Sequence, residues 1–117
     1  MGHRLPDNTV SHGIYDGADL IAVVAFSNFT GIEIELSAAA DRPGRWFTRA
    51  LYRAMHGYAF RFTGARRVIA RTDSSNQSAR KALERIGFTH EGTLREAARN
   101  GGDRELYSLL VTDNVFR

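Results

Sequence analysis

The feature that most limits the fold is a change of hydrophobic period, and back again, between residues 31 and 71. Residues 31–38 alternate, with Ile32, Ile34 and Leu36 on one side and Glu33, Glu35 and Ser37 on the other. A period of two describes a strand with one apolar face. The segment DRPGR (residues 41–45) interrupts it. Phe47, Leu51, Ala54, Met55, Tyr58 and Phe62 then recur at helical spacing, while Arg49, Arg53 and Arg61 fall off the stripe. Thr63-Gly64 ends that helix, and residues 67–71 make a short β-branched strand centred on Val68 and Ile69. Such a strand–helix–strand run predicts two parallel strands joined by a right-handed crossover.

Antiparallel segments flank this unit. Residues 12–15 and 19–27 read as a hairpin around Asp16-Gly17, and residues 28–31 supply a second turn. The run Asp73-Ser74-Ser75-Asn76 is rich in N-cap residues and opens a second helix, with Ala79, Ala82, Leu83 and Ile86 as its buried face. Gly87 stands where a left-handed residue closes a helix, and Phe88 is available for the accompanying apolar contact. Residues 88–94 and 104–111 look like two further strands, joined by the polar loop 95–103. The order is β-β-β-α-β-α-β-β, an α/β domain with a mixed sheet. With 117 residues and 43% apolar content there is room for one modest core. Residues 1–117 therefore read as a single domain, with an irregular N-terminal segment over 1–11.

Several function classes drop out. No stretch approaches the roughly 18–20 apolar residues of a membrane-spanning helix; the longest candidate, residues 20–26, is strand-sized. The opening MGHRLPDNTV lacks the apolar centre of a secretory signal. There is no cysteine, which excludes disulfides, cysteine nucleophiles and cysteine metal sites and makes a cytoplasmic location the expectation. His3, His12, His56 and His90 show no paired metal spacing, so no metal is expected, and no serine sits in a G-x-S-x-G elbow. Lys81 is the only lysine among 16 basic residues, and the net charge is +3 with a pI of about 9.8. That balance suits an anionic partner, a nucleic acid or a phosphorylated ligand, or reflects an arginine-biased composition.

Three groups of residues are candidates for chemistry. Residues 41–45 lie between a strand end and a helix start, where free N–H groups and the helix dipole favour phosphate; Arg42 and Arg45 would add charge-assisted contacts. The alternative is that Pro43-Gly44 only turns the chain. Asn76 either caps its helix or offers its amide to a peptide-like ligand. Glu33 and Glu35 point the same way from one strand and are candidate general bases, or else a solvent-facing acidic edge. A one-residue change of register would move both to the other face.

Taken together, Asn76, the helix ending Ile86-Gly87-Phe88, the run Glu91-Gly92-Thr93-Leu94-Arg95, and Asp103 before Tyr107-Ser108-Leu109 resemble the C-terminal half of a GNAT-family N-acetyltransferase. The branch they are most similar to includes the ribosomal-protein N-terminal acetyltransferases. WFTRALYRAMHGYAF (residues 46–60) is similar to that branch's first cofactor helix. The resemblance spans roughly residues 13–110. It implies a splayed sheet with acetyl-CoA between the strands 31–38 and 67–71. It also implies that Ile34, Leu36 and Ser37 meet the pantetheine arm through their backbone, and that the loop containing Arg42, Gly44, Arg45, Trp46 and Phe47 holds the pyrophosphate. Asn76 would bind the arm from the far side.

The sequence departs from the family pattern in three places. The usual pyrophosphate loop is Q/R-x-x-G-x-G/A; Arg42 matches it, while Arg45 and Phe47 occupy the positions where small residues let backbone approach phosphate. That Arg-Trp junction resembles divergent members of a bacteriophage and prophage type. Leu83 stands where many members carry a tyrosine acid, as is usual in the ribosomal-type branch. Finally, little chain precedes His12, where the family has a strand and two helices, so the domain reads as N-terminally shortened, and the apolar surface this would expose predicts a homodimer. The resemblance implies an acetyl-CoA-dependent N-acetyltransferase acting on a primary amine, a protein N-terminus or a small amine, with Glu33 or Glu35 as base. A catalytically inactive coenzyme A-binding or protein-interaction module is the alternative, and an arginine-rich nucleic-acid binder ranks third.

Overall fold

A computed structural model of the chain describes residues 9–40 and 55–113. Six strands form one sheet: β1 (Val10–Asp16), β2 (Asp19–Ser27), β3 (Glu33–Ala40), β4 (Arg67–Asp73), β5 (Thr89–Leu94) and β6 (Arg104–Leu110). Among the described residues two helices accompany them, α1 (Met55–Phe62) and α2 (Gln77–Arg85). The strands lie in the order β1-β2-β3-β4-β6-β5, and β3–β4 is the one parallel pair described. This is the mixed α/β sheet architecture that the order of elements in the sequence predicts.

The alternation of β3 decides which face is covered. In the β3–β4 register Ile34 pairs with Val68 and Leu36 with Ala70, so these four side chains share a face. They join Val24, Phe26, Tyr107 and Leu109 from the neighbouring strands, with Ala59 and Phe60 of α1 and Leu83 and Ile86 at the end of α2, in one buried cluster. Burying each large side chain of that cluster contributes about 1.5–3 kcal/mol. Both helices thus cover one face of the sheet. Glu33, Glu35, Arg67, Ile69 and Arg71 fall on the other.

Two details depart from the sequence reading. Ile32, expected on the apolar face, precedes the first residue of β3 and is exposed; its carbonyl instead accepts from the N–H groups of Arg66 (2.6 Å) and Arg67 (3.2 Å). The described part of the first helix is wound as a π-helix. Its longer turn makes a 3.6-residue stripe drift, so Ala59 and Phe60 face the core while Phe62, expected inside, is exposed and stacks on Tyr58 at 5.5 Å. The rest of that expected helix lies outside the described residues.

The second helix ends as the sequence indicates. Gly87 has φ 101°, its N–H donates to Glu84 O (3.1 Å), and Phe88 N–H donates to Leu83 O (3.0 Å). These two bonds form a Schellman motif, and Phe88 is buried beside Leu83 in the core.

A polar network ties α2 to the sheet. The buried Tyr107 hydroxyl donates to Glu84 Oε2 (3.1 Å) and accepts from Arg80 Nε (3.2 Å). Two positions earlier on β6, buried Glu105 accepts from the Ser74 hydroxyl, from Thr93 Oγ1 (2.7 Å) and from His90 Nε2 (2.6 Å). Because a carboxylate only accepts, the histidine proton sits on Nε2. The Ser74 and Thr93 hydrogen bonds, supported by His90 and the charge of Arg80, outweigh burial and lower the Glu105 carboxyl to about 2. Burial pushes the Tyr107 hydroxyl up, and its hydrogen bond raises Arg80.

Two outcomes are expected. Gly87→Ala forces a side chain into the left-handed region and lowers the unfolding free energy by about 1–2 kcal/mol in a denaturant titration. Glu105, depressed from 4.5 to about 2, contributes stability that is complete above pH 4.5 and is lost as pH falls towards 2. Melting temperatures across that window should therefore fall less steeply for Glu105→Gln than for the parent chain.

Candidate functional site

The parallel pairing of β3 and β4 covers only four positions, from Glu33↔Arg67 to Leu36↔Ala70. Beyond it both strands continue without each other. Among the described residues, 37–40 of β3 pair with β2 alone, through Ser37↔Ala25 to Ala40↔Ala22. Residues 71–73 of β4 pair with β6 alone, through Arg71↔Leu106 to Asp73↔Arg104. The sheet therefore opens into a fork at the carboxyl ends of its parallel strands, the place where open α/β sheets bind ligands.

The two prongs differ in what satisfies their inner edges. On the β4 side the Arg71 carbonyl accepts from Arg104 Nη2 (3.3 Å), and the Arg104 guanidinium also lies 3.6 Å from Asp73. On the β3 side no described residue bonds the backbone of residues 37–40 across the fork. Backbone N–H and C=O groups need partners. An extended, amide-bearing chain laid along β3 would supply them as an added strand does. The pantetheine arm of coenzyme A has this chemistry, so the fork fits it.

The sequence-predicted residues distribute around the fork as follows. Ile34 and Leu36 turn their side chains into the core and leave only backbone for a ligand, while Ser37 is the first residue past the last β3–β4 pair and is exposed. Asn76 is the N-cap of α2: its Oδ1 accepts from Ala79 N–H (3.1 Å), and its backbone N–H donates to Asp73 O (2.9 Å) at the end of the β4 prong. Capping uses one end of its amide and leaves Nδ2 for another partner. Arg42, Gly44, Arg45, Trp46 and Phe47 lie outside the described residues.

Glu33 and Glu35 stand on the face opposite the helices, each against an arginine of β4. Glu33 Oε1 is 3.1 Å from Arg67 Nε, and the same guanidinium reaches Glu91 Oε2 at 3.3 Å. Glu91 in turn accepts from the Ser108 hydroxyl. Glu35 Oε2 accepts from Arg71 Nη1 (2.9 Å) and its Oε1 from Asn28 Nδ2 (3.1 Å). Sequence reasoning missed Arg67 and Arg71 as partners of these acids. Their signal was present, since the alternation of RVIAR puts both on one side of their strand, but it says nothing without the register that sets β4 beside β3. Among the described residues no cluster of histidine and carboxylate side chains is arranged to hold a metal ion.

Residues 7–89 match the family model of the acetyltransferase (GNAT) domain. No curated protein matches the sequence. Among solved structures, a probable acetyltransferase superposes with a TM-score of 0.76 at 29% identity, over 90% of this chain and 62% of its own. A variant of the spermidine N-acetyltransferase SpeG from Vibrio cholerae gives 0.72 at 26% identity, over 89% and 67%. RimJ from Mycobacterium smegmatis, solved with CoA-disulfide, gives 0.74 at 16% identity, over 88% and 53%, which is a likeness of fold. The chain thus spans 62% of the length of the first of these structures. A forked mixed sheet of this topology, and a family match over well more than half of the sequence, lead to one conclusion: the chain belongs to the GNAT acetyltransferase domain family.

Proposed function

We propose that this chain is an acetyl-CoA-dependent N-acetyltransferase that acts on a primary amine, either a protein N-terminus or a small amine. The observation that carries the reading is the fork, where no described residue pairs with the inner edge of β3 beyond Leu36. GNAT acetyltransferases use acetyl-CoA or CoA. When bound, acetyl-CoA supplies an acyl group activated as a thioester. The edge of β3 at residues 37–40 would bind the amide-bearing arm, and Asn76 Nδ2 would contact it from the α2 side. Arg42 and Arg45 would hold the pyrophosphate, together with Gly44, Trp46 and Phe47. Backbone N–H groups near Leu36 would stabilise negative charge developing on an acyl oxygen placed beside them.

Glu35 is the better placed of the two acids to take the amine proton, because it adjoins Leu36 at the last β3–β4 pair while Glu33 sits at the first. Arg71 and Asn28 orient its carboxylate, and two carboxylate oxygens with about four acceptor sites still leave room for a proton. Similar folds in solved structures include enzymes described as acting on spermidine and on a ribosomal-protein alanine. Acceptors of both kinds therefore belong in a screen.

One observation favours a second reading, a coenzyme A-binding module without turnover: both candidate bases are already paired with arginines. Calorimetric titration with acetyl-CoA, followed by a transfer assay over peptides and small amines, separates the two. Micromolar binding with acetyl transfer supports the enzyme; binding without transfer to any amine supports the module; no binding at millimolar ligand overturns both. In the active case Glu35→Gln should lower kcat on the order of 10²-fold with the donor KM unchanged, and Glu33→Gln should leave both near the parent values.

Self-association belongs to the same reading. Tyr15, Leu20 and Val23 at the turn end of the β1–β2 hairpin are large apolar side chains exposed to solvent. Burying them against a second copy would be favourable. Light scattering at tens of micromolar should report a dimer; a sharp monomer mass would refute it.

A further inference from the structure

Ser74 follows β4 directly, and all three of its polar groups are engaged. Its N–H donates to Asp103 O (2.9 Å), its hydroxyl donates to Glu105 Oε2, and its carbonyl accepts from Arg80 Nη1 (3.3 Å). One turn residue is thus held at once from the approach to β6, from β6 itself and from α2. The helix does not need this for its own sake. Its N-terminus is capped by Asn76, its C-terminus is closed by the bonds at Gly87 and Phe88, and Ala82 and Leu83 bury its apolar side. Burying a carboxylate such as Glu105 costs desolvation, which hydrogen bonds must offset. Glu105 spends one of them on Ser74, 31 residues away.

The groups around Glu105 come from every neighbouring element. His90 and Thr93 reach it from β5, Ser74 from the turn, and the charge of Arg80 from α2. Arg80 is itself held by Tyr107, whose hydroxyl also bonds Glu84. The part of the fold that this network immobilises is short. It is the turn between the end of the β4 prong and Asn76, whose backbone N–H closes on Asp73 O.

We propose that Ser74, pinned between Glu105 and Arg80, is a positioning residue: it fixes the N-terminal turn of α2 and its Asn76 amide against the β4 prong, and thereby sets the affinity for the amide-bearing arm of coenzyme A. The inference rests on the reading that the fork holds that arm, and it goes beyond it by assigning a determinant outside the fork. Ser74 touches no ligand in this scheme. It acts through the placement of Asn76.

The test is calorimetric titration of the parent chain, Ser74→Ala and Ser74→Thr with coenzyme A, accompanied by thermal melts and, where transfer is seen, by donor KM and kcat. Ser74→Ala should raise Kd and donor KM roughly tenfold, the scale of one hydrogen bond to a charged group, with kcat at saturating donor unchanged. Ser74→Thr keeps the hydroxyl and should restore the parent affinity. Glu105→Gln, which preserves shape and loses the charge, should shift Kd in the same direction and serves as the readout if Ser74→Ala does not fold. Parent-like Kd in Ser74→Ala and Glu105→Gln, whether or not their melting temperatures fall, overturns the positioning role while leaving the cofactor reading intact. A parent chain that does not bind coenzyme A overturns both.

Discussion

Four pairs of residues between β3 and β4 join the two halves of the described sheet. On either side of them lies an antiparallel half, β1-β2-β3 and β4-β6-β5, each able to pair its own strands. The join between the halves is short and parallel, the less stable way to pair strands. It holds because its two faces are used differently. Ile34, Leu36, Val68 and Ala70 lie under the helices, while Glu33–Arg67 and Glu35–Arg71 close the other face with ion pairs. Partly exposed pairs of that kind are worth up to about 1 kcal/mol each, so the apolar side carries most of the join.

The shortness of the join is also what creates the candidate site. Had β3 and β4 stayed paired over their full lengths, the backbone of residues 37–40 would be satisfied within the sheet and nothing could be laid along it. The fold therefore gives up pairing at one point and regains rigidity elsewhere. The β4 prong is braced from β6 by Arg104, and the turn after it is held by Glu105 and Arg80. Glu35 serves the join and stands beside the fork at once, so its proposed catalytic use and its structural use would compete for the same oxygens.

Much of this was legible in the sequence. The alternation of Ile34 and Leu36 with Glu33 and Glu35, the N-cap run ending at Asn76, and Gly87 before Phe88 are local signals, and each appears in the fold as a strand face, a cap and a Schellman close. The parts that stayed hidden are of two kinds. Ile32 and Phe62 carry the right residue type for the core, but strand start and helix winding turned them outward. Arg71 with Glu35, and Ser74 with Glu105, are partners more than 30 residues apart.

By itself, then, the chain determined its elements, their order and the polarity of each face, because hydrophobic period and capping act over a few residues. Only the tertiary structure decided where β3 and β4 part, which arginines occupy Glu33 and Glu35, and that Ser74 is held from three directions. Those outcomes depend on strand register and on how a helix seats against the sheet. Register is a property of two segments at once, set by the packing of side chains from many elements, and no local pattern in either segment encodes it.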